Sequence, residues 1–530
     1  LGTATWILLG IFVLVLLLIV IPLGFLFYLY LVDEKQDQHA VLRNFPVLGK
    51  VRYFLEMLGP EMRQYWFDHD NSGKPFSRED YKHIVLPAKY KKSMVGFGSK
   101  RDFDKPGYYI RNSMFPVQKE DLRSDNGQMV DSKYYEIKDE NLFSRKEQHL
   151  DGKVKPWLLA DEDAVVIGEN CKYPFTAKGL IGMSAMSYGA LGERAITALS
   201  KGLGMATGAW MNTGEGGLSD HHLSGDVDII MQIGPGLFGV RTKDGQMDWD
   251  ELKRKSELKQ VKAIELKLAQ GAKARGGHLD GSKVSPEIAI IRGVEEYKTV
   301  DSPNRFNQFH DVPTMVDFID KIRDHTGLPV GIKMVVGSTE DVDALAKFMK
   351  ETGRGPNFIT IDGGEGGSGA TYQALADGVG LPIRPAIMIM NQKLKEYGVR
   401  DQVKIIASGK LFTPDKVAVL LGMGADLVNI ARAFMISVGC IMAQRCHTNT
   451  CPVGVATTDE KLQKALVINE KAYRVVNFVV TLREGLFNMA AAAGVKSPAL
   501  LEEKHIAYKD DKARTYGMDD LYKEHMKQTS

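Results

Sequence analysis

The spacing of hydrophobic and polar residues changes character several times along the chain. From Trp6 to Val32 the sequence runs for 27 residues without a charge. As a helix at ~1.5 Å per residue, this run is roughly 40 Å long, enough to cross a bilayer with some tilt. A signal peptide would need a basic residue ahead of a shorter apolar core and a small-residue cleavage site behind it. Here Asp33-Glu-Lys-Gln-Asp follows directly. A buried core helix rarely stays uncharged for so long. Lys35, Arg43, Lys50 and Arg52 follow the run and no Lys or Arg precedes it, so the positive-inside rule places the C-terminal bulk in the cytoplasm. The expectation is a single-pass anchor in the cell membrane, residues 1–34, with Pro22 as a possible kink and residues 6–32 in contact with lipid.

Residues 35–165 are polar, aromatic-rich and weakly periodic, and are expected to be irregular. Asp68-His-Asp70-Asn-Ser72-Gly73-Lys-Pro-Phe-Ser-Arg-Glu79 fits the EF-hand loop pattern, which needs oxygen ligands at loop positions 1, 3, 5 and 12 and Gly at 6. Pro75 stands where paired loops need an amide, Lys74 precedes it, and no second loop is visible. A solvated turn is the stronger reading.

Beyond Val166 short apolar runs alternate with helical patterns. The candidate strands are Leu180–Ser184, Met205–Met211, Ile229–Ile233, Ala263–Leu268, Pro329–Met334, Phe358–Ile361, Val403–Ala407 and Asp426–Ile430. Such alternation argues a parallel sheet, and eight units in this length argue an α/β fold of the (β/α)8 TIM-barrel type. Thr413-Pro414 reads as N-cap and first helical residue, and Thr314 opens another helix with Phe318 and Ile322 four apart. A doubly wound sheet is the rival, but no Gly-x-Gly-x-x-Gly follows an early strand. Residues 166–457 would form the barrel and 458–530 a helical tail, charged from Lys504 and either solvated or loosely docked there.

In a barrel the residues just after each strand build the active site. Here they are Met186-Ser187-Tyr-Gly-Ala-Leu191, Asn212-Thr-Gly-Glu-Gly-Gly217, Gln232, Lys267-Leu-Ala-Gln270-Gly-Ala-Lys273, Lys333, Asp362-Gly-Gly-Glu365-Gly366-Gly367-Ser-Gly369, Ser408-Gly409-Lys410 and Ala431-Arg432. Glycines there let backbone approach a flat or phosphorylated ligand and offer amides as donors. Lys267, Lys273 and Arg292 would bring cations to one cavity, which suits a dicarboxylate.

The stretch Gly439–Gly454 places Cys440, Cys446 and Cys451 within twelve residues, three of the four cysteines in the chain. Thiolates this dense hold a soft metal centre. Three of them with Pro452 closing the run suit a three-iron cluster; zinc with His447 as fourth ligand is the rival. Cys171 lies far off in sequence. This usage excludes a disulfide framework and points to a reducing compartment. With 68 basic and 66 acidic side chains, the net charge of +2 carries no nucleic-acid signature.

Taken in order, the loops after the first four strands, including the run from Gln232 to Val240, and Cys-x5-Cys-x4-Cys-Pro-Val-Gly-Val-Ala-Thr ending at Thr457 resemble the FMN-binding synthase domain of glutamate synthase. The resemblance covers about Val166–Thr457. It implies an FMN barrel with a 3Fe–4S cluster. The cluster passes single electrons to the flavin, which gives a hydride to the imine of 2-oxoglutarate and ammonia, making L-glutamate. By position, Gln232 and Lys333 would touch the flavin, with Ser408, Gly409, Lys410, Ala431 and Arg432 at its phosphate. Met186, Ser187, Asn212, Glu365, Gly366 and Gly367 fall on the same cofactor side. Lys267, Gln270, Lys273 and Arg292 would surround the 2-oxo acid, and Cys440, Cys446 and Cys451 would hold the cluster.

The departures shape the expected substrate. The family's glutamine-hydrolysing domain, with its N-terminal cysteine nucleophile, is replaced by the apolar run, and only about 75 residues follow the cluster loop. The loop after Lys273 is one residue shorter than usual, with His278 where a glutamine is expected, and Pro313 replaces a coupling carboxylate. Free ammonia or an amine is therefore the expected nitrogen source. An N-alkylglutamate synthase and a non-catalytic membrane-tethered scaffold are the alternative readings. No nicotinamide motif is evident, so a ferredoxin, a partner (reductase) subunit and a quinol-linked protein all stay open as the electron donor.

Overall fold

The computed structural model describes residues 2–139, 146–274 and 276–529. The chain divides into two compact units, residues 1–82 and 83–530.

The first unit opens with a helix, Thr3–Lys35, whose apolar side chains are exposed along its length and which contains Pro22. It is long and apolar enough to cross a membrane. Its last turn carries Asp33, whose buried carboxylate accepts the Val47 amide at 2.9 Å and the Lys50 ammonium at 2.7 Å. The stretch expected to be irregular includes a second long helix, Gly49–Met62. In the calcium-loop pattern the carboxylates are otherwise engaged. Lys82 pairs with Asp70 at 3.2 Å and with Glu79 at 3.4 Å. The solvated turn is the better description.

The second unit is built on eight parallel strands. In chain order they are β1 (Ile181–Met183), β2 (Trp210–Asn212), β3 (Asp228–Ile233), β4 (Val261–Lys267), β5 (Val330–Met334), β6 (Phe358–Asp362), β7 (Lys404–Ser408) and β8 (Leu427–Ile430). Each pairs with the next and β8 closes onto β1, with Val428 opposite Ile181. The strands are almost wholly buried because helices cover the sheet outside and side chains fill it inside, which is why they read as short, mostly apolar runs. Trp210 fills the space under Gly182, where a Cβ would come within 2.0 Å of the indole, and donates to Asn429 Oδ1 at 2.9 Å.

Some boundaries differ from expectation. Met205 ends the helix Glu193–Met205, and Thr207 and Gly208 turn through left-handed backbone (φ 53° and 60°), so the second strand starts only at Trp210. The helix assigned to Thr314 begins at Val312. Asp311 caps it, and Thr314 completes a capping box with Pro313 in the first turn. The helix after Thr413 is present, Pro414–Gly422, yet Thr413 Oγ1 is buried without a partner and makes no cap. Val130–Asp139 pairs antiparallel with Lys146–Val154 as the two strands of a hairpin. The hairpin is fixed to the helix Ile468–Ala492 by a Ser132 hydroxyl donating to Asn477 Oδ1 at 2.7 Å. The tail is docked rather than loose, because Ile506–Lys509 pairs antiparallel with Gly107–Ile110.

Candidate functional site

The C-terminal ends of the strands deliver their polar residues to one place. A cavity of about 180 Å³ opens there, lined in part by Met186, Ser187, Glu215, Gln232, Lys267, Gln270, Lys273, Arg292, Gly367, Ala431, Arg432 and Cys446. Eleven of these twelve are expected site residues, including the whole 2-oxo acid set and the middle cysteine; Glu215 is the exception.

Lys267 ends β4 with its ammonium 2.5 Å from Glu215 Oε1. Burial pushes the Glu215 carboxyl up, but Lys267, Arg292 and Lys273 together outweigh it and hold it below the usual carboxylate range. Arg292 ends the helix Pro286–Arg292, which Gly293 terminates in left-handed backbone. Its Nη2 donates to Ser187 Oγ at 3.3 Å and to the Tyr188 carbonyl at 3.2 Å. Nε is buried with no partner. Burial brings the guanidinium down to about 10, with Glu215 opposing, so it remains a cation at neutral pH. Gln270 donates to the Gly367 carbonyl at 2.5 Å, tying the loop after β4 to the loop after β6.

Gln232, next to last in β3, donates to Glu265 Oε1 at 2.7 Å, while its own Oε1 is buried without a partner. Glu265, inside the barrel, also accepts from Asn212 Nδ2 at 2.7 Å and from Thr360 Oγ1 at 2.5 Å. Asn212 therefore stands behind the cavity, positioning Gln232 through a shared carboxylate. Lys333, opposite Lys267 in register, lies 3.4 Å from Asp362 and 3.5 Å from Ser184 Oγ.

Several expected residues do not face this cavity. Ser408 Oγ lies 3.3 Å from Ser184 Oγ, and Lys410 sits in left-handed backbone (φ 51°). Glu365 turns its carboxylate back to the Ile383 amide at 3.0 Å, and burial raises its pKa. Its carbonyl and Gly366 build the loop, with Arg432 Nη2 donating to Glu365 O at 2.5 Å. A Cβ at Gly367 would fall 2.7 Å from Arg432 Nε, so only glycine allows this approach.

The cysteine loop sits beside the same cavity. Cys440, Cys446 and Cys451 are unbridged. Burial pushes the Cys440 thiol up to about 12, partly opposed by the Met442 amide that donates to its sulfur at 3.4 Å; the charges of Cys446 and Cys451 push it further up. The three thiols are thus within electrostatic reach of one another. Left-handed backbone at Met442, Gln444 and Asn449 winds the chain tightly around them. His447 is exposed, and among the described residues no group of three His, Cys, Asp or Glu is close enough for a single ion.

Sequence reasoning missed Glu215, Glu265, Asp362 and Lys283. Glu215 and Asp362 were visible as acids in the glycine-rich loops after β2 and β6; Glu265 and Lys283 carried no local signal.

The family described as a conserved region in glutamate synthase matches residues 116–496. The glutamate synthase large subunit-like protein YerD of Bacillus subtilis is 57% identical over 505 residues, covering 95% of this chain and 96% of that one. An archaeal-type glutamate synthase [NADPH] of Dehalococcoides mccartyi is 30% identical over 318 residues, 59% of this chain and 60% of that protein. Among solved structures, a flavocytochrome b2 variant with sulfite bound superimposes with a TM-score of 0.43 at 15% identity, over 89% of this chain and 90% of the other.

Proposed function

Because the chain belongs to the glutamate synthase family, and is thereby an oxidoreductase acting on CH–NH2 donors, we propose that it reduces the imine of 2-oxoglutarate to L-glutamate. It does so with FMN and a three-iron cluster, on a chain anchored in the membrane by the helix Thr3–Lys35. Ammonia or a small amine supplies the nitrogen, and a separate donor protein supplies the electrons.

The charge balance of the cavity carries this reading. Apart from Arg432, which is assigned below to the flavin phosphate, three formal cations, Lys267, Lys273 and Arg292, face one carboxylate, Glu215. Two positive charges remain, matching the two carboxylates of a 2-oxo diacid. Arg292 Nε is an unfilled donor in the same place, and leaving such a donor buried and empty costs about 1–3 kcal/mol. A bound carboxylate removes that cost.

The residues also fit a flavin. Gln232 Oε1 is a buried acceptor without a partner, suited to an N–H on the edge of a planar ring. Gly367 leaves only backbone beside Arg432, and Arg432 is a cation for a phosphate. Bound there, FMN would supply the hydride. The protein would hold the 2-oxo diacid with Arg292, Lys267 and Lys273, fix the Gln270 loop through the Gly367 carbonyl, and set Gln232 through Glu265. The three thiols, within electrostatic reach of one another but not grouped closely enough for a single ion, and with an amide already donating to Cys440 sulfur, suit a cluster that spreads its irons over several ångströms better than a single zinc ion. It would supply one-electron transfer between the donor protein and the flavin site.

Metal and flavin analysis of the purified protein and of Cys446→Ser tests this. The wild-type chain should hold iron, sulfide and FMN. Cys446→Ser should keep FMN, lose iron, and lose turnover driven by the donor protein, while chemically reduced enzyme still converts 2-oxoglutarate with ammonium. Stoichiometric zinc without iron or sulfide would sink the cluster reading.

A further inference from the structure

Lys283 is one of the most deeply buried lysines in the chain, 2% exposed, and no part of the scheme above uses it. It ends the short turn Gly281–Lys283. Its ammonium donates to three backbone carbonyls: Cys446 at 2.6 Å, Ala456 at 2.9 Å and Ala190 at 3.4 Å. Two of these belong to the cysteine loop and the third to the loop after β1. Next to it, Asn449 of the cysteine loop donates to the Ser282 carbonyl at 3.0 Å. The turn itself is fixed, since Asp280 accepts the Ser282 amide at 2.9 Å and a Cβ at Gly281 would meet the Tyr297 carbonyl at 2.6 Å. The residues just before it, His278 and Leu279, line the cavity. One segment therefore touches both the cavity and the cysteine loop.

All three bonds from Lys283 go to neutral carbonyls, and Asp280 is spent on Ser282. Burial lowers the pKa of this ammonium, and the charges of Cys446, Cys451 and Asp280 within its reach oppose that. A buried ammonium without a paired carboxylate is expensive, so a neutral hydrogen-bonding residue would hold the loop at lower cost unless the charge itself is useful. A fixed positive charge beside iron-bound thiolates stabilises the more negative, reduced state of the cluster.

We propose that Lys283 is a positioning residue that clamps the cysteine loop to the mouth of the barrel, and that its fixed charge makes the cluster easier to reduce. The electron comes from the donor protein and leaves toward the flavin, while Lys283 itself neither gains nor loses an electron or a proton. This rests on the cluster reading above.

The test compares full-length wild-type, Lys283→Met and Lys283→Arg proteins in detergent, measuring iron and FMN per chain and titrating the cluster by electron paramagnetic resonance. Lys283→Met should either lose iron while keeping FMN, or keep its iron with the one-electron equilibrium shifted at least tenfold toward the oxidised cluster, about 59 mV. Lys283→Arg, which keeps the charge, should stay close to wild type in both. Lys283→Met matching wild type in iron and potential overturns the inference, as does Lys283→Arg being as impaired as Lys283→Met. Wild-type protein without iron defeats the cluster reading and this inference with it, and that result precedes any variant.

Discussion

Two buried arginines mark the two ends of the barrel, and their surroundings differ in one respect. Arg483, 1% exposed, lies beneath the N-terminal ends of the strands and donates to the carbonyls of Gly179, Pro156, Ala206 and Thr207 at 2.9–3.2 Å. Burial alone brings it down to about 9. Arg292 lies at the opposite mouth, 4% exposed, with Nε unpartnered and its bonded contacts on a single nitrogen. Both burials are costly. At the base the protein satisfies the guanidinium with its own backbone; at the mouth it leaves part of the guanidinium for something else. A fully satisfied buried charge is structure, and a partly satisfied one is a site.

The largest effect should come from the base. Arg483→Met would strip four carbonyls of their donor and leave them buried, so unfolding by urea should show a loss of about 4 kcal/mol from several lost charge-assisted bonds. The protein that stays folded should keep FMN. A loss below about 1 kcal/mol, or selective loss of FMN, would break the assignment of this arginine to structure.

The second test asks whether satisfaction or location decides, using a mouth residue that is fully satisfied. His222 is wholly buried behind the Met186 loop. The Ser219 amide donates to Nδ1 at 3.3 Å, so Nδ1 must carry the lone pair and Nε2–H faces the Met186 carbonyl at 3.4 Å. Burial lowers this histidine from 6.5 to about 4. The folded state therefore binds fewer protons than the unfolded one between those values. The contribution is fully present above pH 6.5 and is lost as pH falls toward 4. Relative to His222→Gln, the wild type should lose about 3 kcal/mol of stability over this window, at ~1.4 kcal/mol per pH unit. Equal pH slopes for the two proteins would refute it.

The same distinction explains what could be read in advance. The eight strands were legible because a parallel sheet covered on both faces leaves short, mostly apolar runs, and the residues at their ends followed from the fold. The loops after the strands were legible as motifs, and nine site residues named from them line one cavity. Lys283 was not legible, since its burial depends on carbonyls at 190, 446 and 456, which no local pattern brings together. Glu265 was hidden for the same reason, an acid inside an apolar run whose three donors come from β2, β3 and β6. The paired strands Val130–Asp139 and Lys146–Val154 were missed because Tyr134-Tyr135 breaks the alternation, and the pairing of the tail because its partner strand lies some 400 residues away in sequence.

The smallest expected effect lies at the mouth itself and decides the comparison from its other side. In Arg292→Met, the Ser187 hydroxyl and the Tyr188 carbonyl each lose one long contact, and the unpartnered Nε disappears with its desolvation cost. Stability should change by less than about 1 kcal/mol. Substrate should feel more. If Arg292 grips a carboxylate remote from the reacting carbon, it does so equally in the bound substrate and in the transition state. Removing it then raises KM and leaves kcat nearly unchanged. One charge-assisted contact is worth about 2 kcal/mol, which is roughly a 30-fold rise in KM for 2-oxoglutarate. The ammonium KM should not move, because ammonia carries no carboxylate for Arg292 to hold. Steady-state kinetics with each substrate varied in turn separates these outcomes. An equal fall in kcat with KM unchanged would place Arg292 at the reacting atoms rather than at a remote carboxylate. A loss of several kcal/mol in stability would make Arg292 a second Arg483, and the contrast between the two ends of the barrel would disappear.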